Sequence, residues 1–164
     1  MNNLFVFPHK KIRAEVIKNH LNKSRYKKVV CFSCGNAAVA LINAGIETLH
    51  IGENGDFLPN KWFNQTEINN IYPDYFDATS GHLTIEIMFL LGKAYKQYLG
   101  ELMKKTIYVP TGSGETLVCL KMVYPETQFV AVYNLNAATQ YNEKAPLNNL
   151  VKLLSNEIIF ADIN

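Results

Sequence analysis

Two stretches of the chain decide its fold: residues 29–38 read VVCFSCGNAA, and residues 107–116 read IYVPTGSGET. Each begins with a compact apolar run of the kind that forms a buried parallel strand. Each then passes through a small polar turn that contains glycine, and continues into a sequence that favours a helix start. A strand followed by a tight turn and a helix is typical of α/β proteins. The two stretches therefore predict this fold class.

Outside these stretches, short apolar runs alternate with segments of helical period. Strands are predicted at residues 4–7, 29–32, 48–51, 106–109, 129–132 and 158–160. Helices are predicted at about residues 12–21, 35–44, 83–103, 115–123 and 147–154. Residues 59–80 show no regular period, so we expect an irregular surface excursion there. The alternation predicts a single α/β domain over residues 1–164, with three layers and a mostly parallel sheet between flanking helices.

Composition excludes several classes of protein. The chain has 164 residues, of which 48% are hydrophobic and 18% charged, as in an ordinary globular domain. Its formal net charge of +2 is smaller than a nucleic-acid binder normally carries. No apolar run approaches the roughly 18 residues of a membrane span, and the first residues lack the pattern of a signal peptide. Three cysteines do not make a complete disulfide framework. We therefore expect a cytoplasmic protein with neither a nucleic-acid nor a membrane partner.

Both turns have the chemistry of an anion site. Free N–H groups and the helix dipole at a helix start favour negative charge, and glycine lets a ligand approach the backbone. In the second turn, Thr111, Ser113 and Thr116 add hydroxyl donors that suit a phosphate. In the first, Ser33 and Asn36 add donors that suit a carboxylate or an aromatic hydroxyl. The alternative for the second turn is a plain helix N-cap, with Ser113 or Thr111 as the capping residue.

Three segments, taken in order, resemble the tryptophan synthase β-like (fold type II) pyridoxal-phosphate-dependent enzymes, which include cysteine synthase, threonine synthase and serine/threonine dehydratases. The segments are residues 11–13 (KIR), 33–36 (SCGN) and 112–116 (GSGET). The resemblance implies that Lys11 holds pyridoxal phosphate as a Schiff base and that Asn36 contacts its ring. It implies a loop for the substrate carboxylate at Ser33, Cys34 and Gly35. It also implies a phosphate cradle of six residues: Thr111, Gly112, Ser113, Gly114, Glu115 and Thr116.

The function that follows from this resemblance is that of a minimal pyridoxal-phosphate enzyme. It would act on a small amino acid by β-elimination, β-replacement or deamination, with the lysine amine moving protons and the coenzyme ring taking up electrons. The chain lacks the C-terminal section of the family, and a shortened sheet leaves an edge or apolar face to be covered. We therefore expect a homo-oligomer, most simply a dimer. The alternative is a non-catalytic descendant that binds a protein partner or a small anionic ligand.

Several individual residues have two interpretations. Lys11 is either the imine lysine or a solvated surface lysine, and Lys10 replaces it if the register shifts by one. His82 follows a small polar segment in a predicted loop, and it is the candidate general base among the four histidines. Glu115 stands where the family has glycine. It is either a solvent-facing glutamate that suits the helix dipole, or the mark of a loop that no longer binds phosphate.

The cysteines are expected to be structural. Cys31 and Cys34 are three residues apart, but no second pair of ligands has the spacing of a zinc site. Cys31 also falls inside a predicted strand, whereas a redox pair normally sits at a helix start. Cys119 is predicted to lie in the core. We expect no metal.

Overall fold

A computed structural model describes residues 7–32, 35–51, 70–101, 105–134 and 147–162. Its helices are α1 (His9–Asn22), α2 (Asn36–Asn43), α3 (Ile85–Leu99), α4 (Glu115–Val123) and α5 (Asn148–Leu154). Its strands are β1 (Lys28–Phe32), β2 (Glu47–Ile51), β3 (Tyr75–Asp77), β4 (Thr106–Pro110), β5 (Gln128–Asn134) and β6 (Glu157–Ala161). Every described strand pair is parallel. The predicted α/β class, with parallel strands and flanking helices, is therefore confirmed.

The chain divides into two compact units. The N-terminal unit is Pro8–Thr84, and the C-terminal unit combines Met1–Phe7 with Ile85–Asn164. The described strands form two three-stranded sheets, one in each unit. Alternating strands and helices predicted the elements but not this division, because periodicity along the chain does not determine which strands pair. No described helix is long and apolar enough to cross a membrane.

The sheet of the N-terminal unit has the order β2-β1-β3, with β1 in the centre. The register places Phe32 beside Ile51 on one side of β1, and Val30 beside Asp77 on the other. Residues 29–31 are fully buried, as expected for a central parallel strand. In α1, the predicted apolar face contributes Ile17 and Leu21 to the core. The carboxyl ends of β1 and β3 thus meet at one edge of the sheet.

Strand β3 is the main departure from the predicted elements. Residues 75–77 fall within the stretch that was expected to be an irregular surface excursion, but they pair with β1. Asp77 and the two residues after it are buried. Three residues are too few to show the alternation that identifies a strand, and aspartate is disfavoured in strands. Pairing with an already buried neighbour therefore decides this element. Residues 52–69, and residues 4–6 of the predicted first strand, lie outside the described parts of the chain.

The C-terminal unit has the sheet order β4-β5-β6, and β5 supplies its buried centre at residues 129–133. Helix α3 buries Ile87, Met88, Leu91 and Tyr95, as the helical spacing predicted. It ends at Leu99, earlier than the predicted 103, and Gly100 follows with a φ of 72°. There the hydroxyl of Tyr124 donates to the carbonyl of Gly100. Burial, and then the negative charge of Glu101, raise the pKa of Tyr124.

Gly92 allows α3 and α4 to approach closely. A Cβ atom at this position would lie 2.5 Å from the carbonyl oxygen of Cys119 and 3.0 Å from Cγ1 of Val123. The first of these is a backbone atom of α4, so relief requires a shift of the whole helix. The packing of the two helices therefore depends on the absence of a side chain at residue 92.

We expect Gly92→Ala to lower the free energy of unfolding by about 1–3 kcal/mol, because the overlap outweighs the better helix propensity of alanine. Urea unfolding followed by circular dichroism measures the change. Gln97→Ala, at an exposed position of the same helix, is the control and should change stability by less than about 0.5 kcal/mol. Equal stability of Gly92→Ala and wild type would contradict the close approach.

Candidate functional site

The first predicted site residue, Lys11, lies in the first turn of α1. It is the third residue of the helix and is exposed. Two positions later, Arg13 is only 4% exposed, and its Nη2 donates to the carbonyl oxygen of Ala78 at 2.8 Å. The carbonyl of Pro8 accepts the amide of Ile12, which closes the first turn. Arg13 thus fastens the start of α1 to the residue that follows β3, while Lys11 remains accessible.

The predicted carboxylate loop is described in part. Ser33 and Cys34 lie outside the described residues. Gly35 precedes α2 with a φ of 112°, a backbone conformation that favours glycine. Asn36 is the first residue of α2 and is exposed. Asn36, with its side-chain amide, is therefore exposed at a helix start, beyond the carboxyl end of β1.

A buried pair of titratable side chains follows β3. Nδ1 of His82 lies 2.8 Å from Oδ2 of Asp77, and the two side chains are 5% and 0% exposed. Oδ1 of the same carboxylate accepts the backbone N–H of Thr79 at 3.0 Å. Gly81, with a φ of 91°, lets the chain turn back so that the imidazole reaches the carboxylate. The candidate base predicted from the sequence is therefore held by a carboxylate that sequence reasoning missed.

The turn of residues 77–82, here called the Asp–His turn, is fastened to the central strand. Its Thr79 hydroxyl accepts the backbone N–H of Phe32, the last residue of β1, at 2.9 Å. Its Ala78 N–H donates to the carbonyl of Val30 at 2.9 Å. In open α/β sheets, ligands bind beyond the carboxyl ends of the strands. The structure thus places the turn that carries His82 beyond the carboxyl end of β3, beside β1, and links it, through the Arg13 contact, to the helix that carries Lys11.

The only signal of this arrangement in the sequence was the segment DATSGH itself, in which an aspartate comes five residues before a histidine with a glycine between them. The segment shows neither strand alternation nor helical spacing, so nothing in it distinguishes it from an ordinary loop. The contact depends on β3 pairing with β1, which brings Asp77 into the core.

The predicted phosphate cradle belongs to the C-terminal unit, between β4 and α4. Thr111 is buried, and its hydroxyl donates to the carbonyl of Val109 at 2.7 Å. The backbone N–H of Glu115 donates to Oγ of Ser113 at 3.3 Å. The N-cap residue is Gly114, with a φ of 90°, and not Ser113 or Thr111. Gly112 is exposed, and a Cβ placed on it would meet no atom within 4 Å. The backbone of the loop is thus sterically unobstructed at Gly112.

Glu115 is only 2% exposed, so the interpretation of it as a solvent-facing residue is wrong. The helix start is closely packed, because a Cβ on Gly114 would overlap Cγ2 of Val151 in α5. The side chain at residue 115 is therefore enclosed, whereas Thr116 is half-buried and Gly112 is exposed. Burial separates the carboxylate from the open part of the loop.

The described cysteines lie in the interior of the protein. Cys31 and Cys119 are buried thiols, and Cys34 lies outside the described residues. Within the described ranges, no group of three or more His, Cys, Asp or Glu side chains is arranged to hold a metal ion.

Comparisons with known proteins show the fold. No family model matches the sequence, and no curated protein matches it. Among solved structures, it matches the crystal structure of a hydrogen sulfide-producing enzyme, a point mutant in complex with an α-aminoacrylate intermediate in lysine-dimethylated form. The TM-score is 0.52 and the sequence identity is 13%. The chain shares the α/β fold of this enzyme. The alignment covers 94% of the present chain and 62% of that enzyme, so this chain spans less than two thirds of its length.

We expect Arg13→Met to lower the free energy of unfolding by about 1–3 kcal/mol, because it leaves the carbonyl of Ala78 without its donor in a buried place. Methionine keeps most of the apolar volume of the arginine stem. Thermal and urea unfolding measure the loss. Lys18→Met, at an exposed position on the same helix, should have a much smaller effect. Similar losses in the two variants would show that the Arg13 contact does not fasten α1.

Proposed function

We propose that the protein is a pyridoxal-phosphate-dependent enzyme that acts on a small amino acid by β-elimination, β-replacement or deamination, with Lys11 as the lysine that binds the coenzyme. The observation that carries the proposal is the connection from Lys11 to His82. An exposed amine on the first turn of α1 is tied, through Arg13 and Ala78, to a turn that holds a buried, carboxylate-bound imidazole. Such chemistry requires a nucleophilic amine and a proton acceptor, and the N-terminal unit carries both.

The shared fold supports the same class of reaction. The matching solved structure is that of a hydrogen sulfide-producing enzyme with an α-aminoacrylate intermediate. An α-aminoacrylate is what remains when an amino acid loses its α-proton and its β-substituent. Carried to the present chain, this favours elimination or replacement at the β-carbon over the other reactions of the proposed class.

Each unit, taken by itself, carries groups that suit part of the coenzyme. The N-terminal unit offers the exposed amine of Lys11 and the exposed amide of Asn36. The C-terminal unit offers a glycine loop that begins α4 and is open at Gly112. Backbone N–H groups at such a loop, together with the helix dipole, suit a phosphate. When bound, the coenzyme ring supplies the electron sink.

Each predicted site residue has a role in this proposal. Lys11 holds the coenzyme through its amine and moves the proton at the substrate α-carbon, and Asn36 contacts the ring. Residues 33–35 bind the substrate carboxylate, and residues 111–116 hold the phosphate. His82 accepts a proton as the general base.

Self-association is part of the proposal, with a dimer as its simplest form. Two apolar pairs are exposed on helices: Val39 and Ile42 on α2, which are 54% and 55% exposed, and Ile85 and Phe89 on α3, which are 66% and 42% exposed. The members of each pair lie about one helical turn apart and so share a face. Exposed apolar faces of this kind support coverage by a second chain.

Incubation with pyridoxal phosphate should produce an imine absorption band near roughly 410–420 nm. Borohydride reduction and peptide mapping should then locate the added mass on Lys11, and Lys11→Ala should abolish both signals. Lys18→Ala, which removes another exposed amine of α1, is the control and should retain them. Serine, threonine and cysteine derivatives would then be screened for release of a keto acid, ammonia or sulfide. If no band forms, and no mass is added at Lys10 or Lys11, the enzyme proposal fails.

A second candidate function rests on Glu115. Its carboxylate is buried in the first turn of α4, where the helix dipole would otherwise favour a bound phosphate. This favours the alternative of a non-catalytic descendant in which an internal charge has replaced the coenzyme phosphate. Such a protein would bind a protein partner or a small anionic ligand elsewhere.

Glu115→Gln separates the two functions. Under the enzyme proposal it should strengthen pyridoxal-phosphate binding by about two- to fivefold, because one negative charge near the phosphate is removed at constant shape. Fluorescence titration measures the dissociation constant, and Glu126→Gln, at an exposed position of the same unit, should leave it unchanged. Binding that appears only in Glu115→Gln would instead support the non-catalytic descendant.

A further inference from the structure

The carboxylate of Asp77 is engaged on both of its oxygens. Oδ1 accepts the backbone N–H of Thr79 at 3.0 Å, and Oδ2 lies 2.8 Å from Nδ1 of His82. The Asp77 side chain is fully buried. It is therefore oriented by a backbone donor that does not depend on the imidazole.

This geometry selects one form of the imidazole. A carboxylate accepts hydrogen bonds and does not donate them, so Nδ1 of His82 carries a proton. In the neutral ring, the lone pair then lies on Nε2, and a proton gained by His82 arrives there.

The pair is held in place by the fold. The Thr79 hydroxyl accepts the N–H of Phe32 at the end of β1, and the Ala78 carbonyl accepts Nη2 of Arg13. The turn is thus fastened to the central strand and to the helix of Lys11, through two residues between Asp77 and His82. A base held by rigid elements keeps its geometry without reorganisation during the reaction.

We propose that Asp77 is a positioning residue that holds His82 with its proton on Nδ1, so that Nε2 exchanges a proton with the leaving or incoming atom of the substrate. This inference rests on the proposed function. In elimination, Lys11 takes the α-proton, whose bonding pair forms the double bond to the β-carbon. The bond from the β-carbon to the leaving atom breaks, the leaving atom keeps that bonding pair, and it takes the proton that Nε2 carries when His82 is the imidazolium. In replacement, the incoming thiol or hydroxyl loses its proton to Nε2 as its bond to the β-carbon forms.

Asp77→Asn tests the tautomer directly. In this variant the amide oxygen keeps the bond to the N–H of Thr79, so the amide NH₂ group faces Nδ1 of His82. Two donors cannot share that contact, and the ring proton should therefore move to Nε2. Long-range ¹⁵N–¹H NMR of the full chain, with ¹⁵N-labelled histidine, should show His82 as the Nδ1–H form in wild type and the Nε2–H form in the variant. Asp74→Asn, exposed just before β3, should leave the spectrum of His82 unchanged.

The kinetic arm uses the coenzyme-loaded protein and the substrate found in the screen. Asp77→Asn should lower kcat by roughly 10²-fold with little change in KM, and His82→Gln should lower it at least as much. Asp74→Asn should keep wild-type kcat. If Asp77→Asn proves too unstable to study, the wild-type tautomer and His82→Gln still test the inference.

The outcomes are distinguishable. A wild-type His82 with its proton on Nε2 alone overturns the positioning role, whether or not the protein binds coenzyme. A correct tautomer with unchanged kcat in Asp77→Asn or His82→Gln makes the pair purely structural, and this also overturns the inference. Failure of the proposed function is seen separately, as the absence of an imine at Lys11 in a protein with an intact Asp77–His82 pair. In that case no proton exchange with a substrate occurs, and that part of the inference is overturned as well.

Discussion

The hydrogen bond from the backbone N–H of Phe32 to the hydroxyl of Thr79 is the contact on which the candidate site depends. It joins the last residue of the central strand to the Asp–His turn. A buried N–H without an acceptor is costly, so the end of β1 and the turn satisfy each other. With Thr79 held there, its own N–H is directed at Asp77, and Asp77 in turn holds His82. This contact, together with those of Ala78, thus fixes where the imidazole lies.

The two loops that look alike in sequence differ in their physical state. In the first, the residue that begins the helix is exposed, and its unit carries an accessible amine and a carboxylate-bound histidine. In the second, the helix begins with the buried Glu115, and the preceding loop contains Gly112, around which there is open space. Both starts have the dipole and the N–H groups that suit an anion. The two loops differ in the carboxylate of Glu115, which is present only in the second. For this reason the second loop is compatible both with a phosphate site and with a non-catalytic descendant.

The fold and the proposed function are supported by different observations. Parallel sheets and flanking helices are shared with a solved enzyme of greater length at 13% identity. Because one fold can host many chemistries, the proposed enzymatic function rests on particular groups: an exposed lysine, a buried arginine that positions its helix, and an Asp–His pair at the carboxyl ends of two strands. These groups lie within one unit, which makes the proposal testable there.

Much of the fold was determined by the sequence itself. Apolar runs and helical spacing identified β1, β2, β4, β5 and β6 and all five described helices, because each of these elements expresses its period locally. The residue types at Asn36 and residues 111–116 also indicated an amide donor and an anion loop without reference to any fold, whereas Lys11 was singled out through the family resemblance. Tertiary structure alone decided the rest. β3 exists because β1 offers it a partner, Glu115 is buried because α5 packs against the start of α4, and Asp77 meets His82 because a glycine turn returns the chain. Each of these depends on a neighbour that is distant in sequence or on a backbone path, and local periodicity contains no information about either.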